Sequence, residues 1–360
     1  MLFLIKVLKN ASAARLRSTA RWVQAQCGRK MLTIYLDMVW CALRHGAGYC
    51  DYANFGFWQL TERQRATYVT RFRNKRILDA LNQQRHYEDF NNKHRFHARY
   101  APLMRRETLD LTEASPEAVR SFFQRHPIFF AKRGKGCGGQ GVHRLCCADA
   151  GKGMARLTEL LRDGETILEE PIDQHPALAA LHSASVNTLR VVTDWVGTEV
   201  HISYVLLKIG RGGAPCDNTG CGGMFCRVDA SRGIVISDAT DDSRNVYSEH
   251  PETHQAFFGL KIPRFAEALL LAVRCAALAP EVRHIGWDIA ITPDGAELVE
   301  GNADPGVMCQ FAPHTPEKRG LWPYYLLSRA FEGARNKIAR IKPAAGKFLR
   351  RFLHTAWTGA

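Results

Sequence analysis

The sequence predicts an α+β protein with a mainly helical N-terminal region. Residues 1–95 follow a helical pattern that breaks at Gly46-Ala47-Gly48. Further on, short runs rich in β-branched and aromatic residues alternate with amphipathic helical stretches, and residues 286–307 form a predicted hairpin. The hairpin turn is Pro293-Asp294-Gly295, which is typical turn chemistry.

The charge of this 360-residue chain is unevenly distributed. Residues 1–110 carry 20 Lys and Arg against 8 Asp and Glu, and residues 311–360 carry 10 against 2. The stretch between them has a net charge of −6. Such basic flanks are typical of proteins that bind nucleic acid, an anionic membrane or an acidic substrate. The alternative is a basic surface that contacts only solvent. Because no RNA-binding, zinc-finger or helix-turn-helix pattern occurs, no specific nucleic-acid partner is expected, and peripheral contact with an anionic membrane stays open.

The apolar segments are too short to span a membrane. Met31–Leu43 is 13 residues long and contains Asp37, which predicts a core helix. The first 25 residues interleave apolar and basic side chains, a pattern of a helix on an anionic membrane or of one packed on a domain. The eleven dispersed cysteines predict reduced thiols. We therefore expect a cytoplasmic protein, with membrane association as the alternative.

The predicted hairpin has one apolar face and one face that carries oxygen ligands. Side chains repeat every two residues along a strand. The apolar face is Trp287, Ile289 and Ile291, and the opposite face gathers Asp288, Glu300 and Asn302. Leu298 is predicted to share the face of Glu300. Carboxylate and amide oxygens suit Mg²⁺ or Mn²⁺, whereas a surface hairpin with solvated acids is the alternative.

A glycine-rich loop lies between two predicted strands, Pro127–Lys132 and Val142–Cys147. Residues 133–141 contain five glycines, and loops of this kind can close over phosphates through their backbone N–H groups. The loop lacks the Gly-Lys-Ser/Thr ending of a P-loop and is not followed by the helix of a Rossmann fingerprint. Lys132, at the end of the entering strand, adds a cation.

Two further pairs of charged residues lie on predicted strands. Glu169 and Glu170 end a strand that is predicted to be buried, so they need partners, either ligand hydroxyls or cations. Arg190 and Lys208 project into the same region if their strands pair, and an exposed sheet edge is the alternative. The three strands are predicted at Thr166–Glu170, Leu189–Trp195 and Val200–Lys208.

Taken in order, these parts resemble the ATP-grasp superfamily, and more closely its sugar-transfer-associated branch, which is found among polysaccharide-synthesis proteins. The resemblance covers residues from about 50 to 325. It is carried by Phe90-Asn91-Asn92-Lys93, the loop at 134–141, ILEEPIDQHP (167–176), SVNTLRVVT (185–193), Asp217-Asn218, Gly222-Gly223, His250-Pro251-Glu252-Thr253 and GWDIA…VEGNADPG.

The resemblance implies an ATP-grasp fold, in which two α+β lobes clamp ATP between antiparallel sheets. The first lobe, with the glycine-rich lid, would span residues 96–171, and the second lobe, with the metal site, residues 172–325. A helical basic region, 1–95, would precede them, and a basic helical tail, 326–360, would follow.

The resemblance also implies roles for individual residues. The ATP-binding residues would be Lys93, Lys132, Gly138, Gly139, Gly141, Glu169, Glu170 and Ile172. The metal ligands would be Asp288, Glu300 and Asn302. The catalytic residues would be Arg190, which matches the superfamily's anion-stabilising arginine, and Lys208. Relatives usually carry a second Arg at the position of Lys208, and a lysine cannot form the bidentate contacts of an arginine.

The implied function is an ATP-dependent ligase that uses Mg²⁺, with Mn²⁺ as a substitute, and joins an amine or thiol to a carboxylate through an acylphosphate. A sugar or polysaccharide precursor is the substrate that the branch suggests. His175, Asn187, Asp217 and Asn218 are expected at the substrate end, with turn-forming roles as the alternative. Three other functions remain open: a phosphotransferase on the same fold, an inactive basic adaptor for membrane or nucleic acid, and a plain ATP-binding regulatory domain.

Overall fold

The structure is a computed structural model that describes residues 12–135, 141–146, 159–162 and 164–327. Its contacts divide the chain into two compact units. Unit 1 consists of Met1–Ala80 with Gly306–Ala360, and unit 2 consists of Leu81–Pro305. The four-part division expected from the sequence stays a prediction. In the described part of the chain, no helix is both long and apolar enough to cross a membrane.

The helices in the described part of the chain are numbered in chain order. They are α1 (Ala13–Cys27), α2 (Met31–His45), α3 (Tyr49–Asn54), α4 (Glu62–Arg65), α5 (Arg71–Leu81), α6 (Glu88–Asn91), α7 (Lys93–Tyr100), α8 (Pro116–Arg125), α9 (Pro176–Ala179), α10 (Phe265–Ala277) and α11 (Trp322–Leu327), and residues 159–162 are also helical. Single 3₁₀ turns lie at Phe57–Gln59, Gln84–His86, Ala101–Leu103, Thr219–Cys221, Met308–Gln310 and Ala312–His314.

The strands are likewise numbered in chain order. They are β1 (Thr108–Asp110), β2 (Ile128–Arg133), β3 (Val142–Cys146), β4 (Glu165–Glu169), β5 (Thr188–Val196), β6 (Glu199–Ile209), β7 (Met224–Asp229), β8 (Ile234–Val235), β9 (Ala239–Thr240), β10 (Val246–Tyr247), β11 (His284–Thr292) and β12 (Gly295–Asn302).

Unit 1 is helical in its described part, and the predicted break at Gly46 is confirmed. Gly46 ends α2 with φ of 65°, and a Cβ there would lie 2.6 Å from Cβ of Phe72. A glycine is therefore required for both conformation and space. Asp37, on α2, accepts two hydrogen bonds of 2.7 Å from the guanidinium of Arg65, and another of 2.7 Å from the hydroxyl of Tyr52.

The described part of unit 2 forms two antiparallel sheets. The smaller sheet has the strand order β1-β4-β2-β3, and α8 packs on it through Phe122 and Phe123, which meet Phe129 of β2. The helix begins where the sequence predicts, because the hydroxyl of Ser115 accepts a hydrogen bond from the backbone N–H of Ala118 and Pro116 occupies the first turn.

The larger sheet has eight strands in the order β10-β9-β7-β6-β5-β11-β12, with β8 beside β7. Helix α10, predicted at 264–278, covers one face, and its Ala272 and Cys275 join a core that includes Val191 of β5 and Ile289 of β11. On that same core, Phe90 of α6 and Tyr100 of α7 meet Trp287. The apolar face predicted for the hairpin is thus confirmed.

One part of the hairpin prediction is wrong. Asp288 pairs with Glu300 while Ile289 pairs with Leu298, so Val299 is an additional residue in β12 that forms a bulge. Because of the extra residue, Leu298 is fully buried in the core, whereas Glu300 lines a cavity. Leu298 and Glu300 therefore do not share a face, although Glu300 does lie opposite Asp288 as expected.

Candidate active site

Two cavities of about 370 Å³ and about 110 Å³ lie in unit 2, and both are lined by residues from the two sheets. They share Lys132, Glu169, Val299 and Glu300. The larger one is also lined by Tyr87, Phe90, Asn91, Lys93, Phe96, His97, Gly301, Asn302, Ala303 and Asp304. The smaller one adds Phe130, Val142, Glu170, Ile172, Val186, Thr188, Lys208, Pro215, Cys216, Asp217, Asn218 and Asp288. Together they form one cleft, which we call the inter-sheet cleft.

On the side of the smaller sheet, Glu169 is buried and lies among cations. Its carboxylate accepts hydrogen bonds from Nε of Arg106 at 2.8 Å and from Nζ of Lys132 at 2.7 Å, and Nε2 of His97 is 3.3 Å away. Burial alone would raise the pKa of Glu169, but Arg106 and Lys132 hold it well below its usual range. Glu169 therefore fixes the ammonium group of Lys132 at the cleft, because the pair is largely shielded from water.

On the side of the larger sheet, Asp288 is also buried between cations. Arg190 lies directly across from it on β5, and its Nε and Nη2 donate to the two carboxylate oxygens, Nη2 at 2.9 Å. Nζ of Lys208, on β6, is 3.1 Å from Oδ2 of Asp288. Burial raises the pKa of Asp288, but Arg190 and Lys208 outweigh it and hold that pKa well below its usual range. The predicted convergence of Arg190 and Lys208 is confirmed.

Lys208 has a second acidic partner in Asp217. Its Nζ is 3.1 Å from Oδ1 of Asp217, whose other oxygen accepts hydrogen bonds from the backbone N–H and the hydroxyl of Thr188. Burial would lower the pKa of Lys208, but Asp217 and Asp288 raise it above its usual value. Lys208 is thus a permanently charged group held in a fixed position.

Glu300 is electrostatically different from these two carboxylates. In the described residues, no Lys, Arg or His lies within ion-pair distance of it, and its Oε1 accepts a hydrogen bond of 3.3 Å from Nδ2 of Asn302. Burial and the neighbouring Asp288 raise the pKa of Glu300. A divalent cation beside Glu300 would remove this penalty, since it would supply the missing positive charge.

The residues present therefore fit a Mg²⁺ ion. Glu300 and the side-chain oxygen of Asn302 are hard donors at the wall of the larger cavity. Asp288 already accepts three hydrogen bonds and has about one lone-pair site left for a metal. No group of three His, Cys, Asp or Glu residues in the described chain is placed to hold a metal, and the predicted set instead combines two carboxylates with an amide.

The other residues predicted to bind ATP occupy different parts of the cleft. Lys93 lines the larger cavity, and Glu170 and Ile172 line the smaller one. Gly141 has φ of 71°, and a Cβ there would lie 2.9 Å from Cδ of Arg133. Gly138 and Gly139 lie outside the described residues, so their roles stay predictions.

The four residues predicted at the substrate end are not all brought together. Asp217 and Asn218 line the smaller cavity, whereas neither His175 nor Asn187 lines either cavity. The amide of Asn187 is fully buried and bonded within the protein, donating to the carbonyls of Leu178 and His182 at 2.9 Å. His175 caps α9 by accepting from the backbone N–H of Ala177.

Sequence reasoning missed two residues that organise the site, His97 and Arg106. His97 lies four residues after Lys93 on α7, so the helical repeat could have placed both on one face. Arg106 contacts Glu169 at 2.8 Å and also Glu297 at 2.7 Å. Those partners are 63 and 191 residues away in sequence, so no local sequence pattern predicts these contacts.

Comparison with known proteins agrees with this geometry. Residues 155–320 match the family described as sugar-transfer associated ATP-grasp. A search of curated proteins found no significant match.

The chain is also similar to several solved structures. One is the ATP-grasp ligase PsnB in complex with a minimal precursor, with 17% identity and a TM-score of 0.36, covering 62% of this chain and 55% of that one. Another is N5-carboxyaminoimidazole synthase from Aspergillus clavatus, with 13% identity and a TM-score of 0.38, covering 62% and 46%. A third is D-alanyl-alanine synthetase A from Vibrio cholerae, with 14% identity and a TM-score of 0.36, covering 63% and 57%.

These likenesses span about half the length of the solved chains and are too distant to assign a reaction. The assignment depends instead on the family match, which includes Arg190, Lys208 and the whole hairpin, and on the inter-sheet cleft, which Lys208, Asp288 and Glu300 line. The chain is a member of the ATP-grasp superfamily, close to its sugar-transfer associated family.

Proposed function

We propose that unit 2 is an ATP-dependent ligase that joins an amine or thiol to a carboxylate. The observation that supports this most strongly is the composition of the inter-sheet cleft. Fixed cations, Lys132 and Lys208, line the same cleft between two antiparallel sheets as the carboxylate Glu300, which has no ion-pair partner among the described residues. Phosphoryl transfer needs positioning and charge stabilisation more than a protein nucleophile, and this set of residues supplies both.

The cations would bind the polyphosphate. Lys132 is held by Glu169 at 2.7 Å, so its ammonium group is oriented before any nucleotide arrives. Lys93 lines the larger cavity together with Lys132 and would bind a second phosphate oxygen. Glu170 and Ile172 line the smaller cavity beside Phe130 and Val142, where an aromatic base would find apolar contacts.

The oxygen ligands Glu300, Asn302 and Asp288 would hold Mg²⁺ bound with the nucleotide. When bound, the ion would neutralise the charge that develops on the phosphoryl oxygens. The positive charge of the ion would offset the burial and the charge of Asp288, which raise the pKa of Glu300, and would therefore favour its carboxylate form.

Arg190 and Lys208 would stabilise the acceptor end. In this proposal the substrate carboxylate attacks the terminal phosphorus atom and displaces ADP, and the amine or thiol then displaces phosphate from the acylphosphate. Arg190 offers a planar guanidinium to the anionic groups of both steps, whereas Lys208 offers a point charge. A sugar or polysaccharide precursor as the acceptor rests on analogy with the family alone.

The test is ADP release by the purified protein with Mg²⁺ and ATP across a matrix of amines and carboxylates, including uronic acids. Glu300→Gln should reduce ADP release by roughly 100-fold or more because it removes a metal ligand without removing an ion pair. Asp288→Asn should also abolish activity, but it leaves Arg190 and Lys208 without their buried partner, so Glu300→Gln is the sharper variant.

Several outcomes would separate this proposal from its rivals. ADP release that survives in both variants would contradict the metal assignment. A stable phosphorylated product formed without an amine would indicate a phosphotransferase. ATP binding without turnover on any substrate pair would favour an inactive adaptor.

A further inference from the structure

Helix α2 in unit 1 has an apolar face that no other residue covers in the part of the chain that the structure describes. Its buried side packs Ile34, Met38 and Cys41 into the unit. The opposite side carries large apolar side chains with high exposed fractions: Leu32 (70%), Leu36 (58%), Val39 (51%) and Trp40 (38%). We call these four residues the α2 stripe.

The α2 stripe is a continuous surface and not a scatter of single residues. Its members are spaced by three, four or one positions, so they lie along one side of the helix. Single exposed leucines are common on soluble proteins, but a contiguous apolar face usually marks a surface that binds something. The indole N–H of Trp40 donates to Oε2 of Glu62 at 3.3 Å, so one polar contact holds the ring at the edge of the stripe.

The charge of the unit indicates what kind of partner this is. The two segments of unit 1, residues 1–80 and 306–360, contain 24 Lys and Arg against 6 Asp and Glu, a net charge of +18. Unit 2, residues 81–305, contains 25 against 29, a net charge of −4. The apolar stripe therefore lies in the strongly basic unit, and not in the one that holds the inter-sheet cleft.

Exposed basic residues flank α2 itself. Arg29 and Lys30 precede the helix and are exposed, and Arg44 follows the stripe near its C-terminal end with half of its side chain exposed. Arg44 also lies 3.7 Å from Glu62, which offsets part of its charge. An apolar helix face with basic residues at both ends is the arrangement of surfaces that lie on anionic lipid.

From these observations we propose that unit 1 docks on an anionic lipid bilayer through the α2 stripe. The aliphatic side chains and Trp40 would enter the interfacial region, while Arg29 and Lys30 would contact lipid phosphates. A second copy of the chain fits less well, because joining two such faces brings two units of +18 together. A nucleic acid would neutralise the positive charge of unit 1, but it would leave the aliphatic side chains of the α2 stripe exposed to water.

The test is co-sedimentation of the full chain with vesicles of phosphatidylcholine alone or with about 30% phosphatidylglycerol. We expect binding to the anionic vesicles only, weakened by salt. Leu36→Asp should reduce the partition coefficient by about tenfold or more, because a leucine side chain no longer enters the apolar layer. The matched control is Leu270→Asp on α10 in unit 2, where a leucine is 61% exposed, and it should bind as the wild type does.

The unfolding temperature of each variant shows whether the stripe has a structural role. We expect no change for Leu36→Asp, since Leu36 is exposed. If that temperature falls, Val39→Ser tests the same face with a smaller change, and its weaker vesicle binding would support the proposal.

Three results would overturn the proposal. The first is equal vesicle binding by wild type, Leu36→Asp and Val39→Ser. The second is a dimer in light scattering that Leu36→Asp dissociates, with no vesicle binding by the wild type. The third is binding of a single-stranded oligonucleotide that Leu36→Asp leaves unchanged, again without vesicle binding.

Discussion

Three carboxylates that line the inter-sheet cleft, Glu169, Asp288 and Glu300, differ in what neutralises them. Glu169 and Asp288 each contact two or more cations within the protein, whereas Glu300 contacts none in the described residues. Removing one member of a buried ion pair commonly costs about 3–5 kcal/mol, so Asp288→Asn would impair folding as well as chemistry. Of these three residues, Glu300 is therefore the one whose negative charge a bound metal cation would neutralise.

The ion pairs of Glu169 predict how stability depends on pH. Its folded pKa lies well below the unfolded value, which is about 4.3. A group with a lowered folded pKa stabilises the protein above its unfolded pKa, and this contribution is lost as the pH falls below about 4. We expect Glu169→Gln to lower the unfolding temperature at pH 7 and to flatten its decline between about pH 5 and pH 2.

The measurement is the unfolding temperature across that pH range. Glu113→Gln changes an exposed glutamate, and its profile should follow that of the wild type. An acid decline as steep in Glu169→Gln as in the wild type would show that Glu169 is not the group responsible.

Among the secondary-structure elements, β11 carries a glycine on which the contact between Arg190 of β5 and Asp288 depends. Gly286 lies on β11, two residues before Asp288, and a Cβ at this position would lie 2.7 Å from Cδ of Arg190 and 2.7 Å from Cβ of Pro305. The guanidinium can therefore reach Asp288 only because position 286 has no side chain.

Gly286→Ala should displace Arg190 from Asp288. We expect ADP release to fall by roughly 10- to 100-fold and the free energy of unfolding to fall by about 1–3 kcal/mol, because the added methyl group overpacks the site. Both effects can be measured on the purified variant by the ADP assay and by denaturant unfolding. Gly213→Ala is the control, since a Cβ at Gly213 would meet nothing within 4 Å. Full activity in Gly286→Ala would mean that ADP release does not depend on the position of Arg190 beside Asp288.

The elements that the sequence predicted well are those with a local signal. Helix α8 begins at its Ser115 cap, and α10 lies close to its predicted bounds because its apolar repeat is regular. Strands β5 and β6 also lie close to their predicted bounds, because both are rich in β-branched residues. The bulge at Val299 escaped prediction, since a strict two-residue repeat has no place for an extra residue. Arg106 escaped for another reason: its partners Glu169 and Glu297 become neighbours only in the folded chain.

At the scale of the whole molecule, the strongly basic part of the chain and the part that forms the inter-sheet cleft belong to different units. Unit 2 contains every residue of the inter-sheet cleft and has a net charge of −4, whereas unit 1 has a net charge of +18 and contains the α2 stripe. A high net charge of one sign destabilises a compact unit through self-repulsion, and salt screens that repulsion. The two units should therefore respond to different solution conditions.

Hydrogen exchange read peptide by peptide can test this separation. Addition of Mg²⁺ and ATP should slow exchange in β2, β11 and β12, because a bound ligand stabilises the folded state, and should leave α2 and α3 unchanged. An increase of NaCl from about 20 mM to about 300 mM should slow exchange in α2 and α3 more than in unit 2, since the Debye length then falls from roughly 20 Å to below 10 Å. In Glu300→Gln the effect of ATP should no longer depend on Mg²⁺, while the response to salt should persist. If nucleotide and salt protected the same peptides, the two units would not be independent in this sense, and the assignment of nucleotide binding to unit 2 alone would fail.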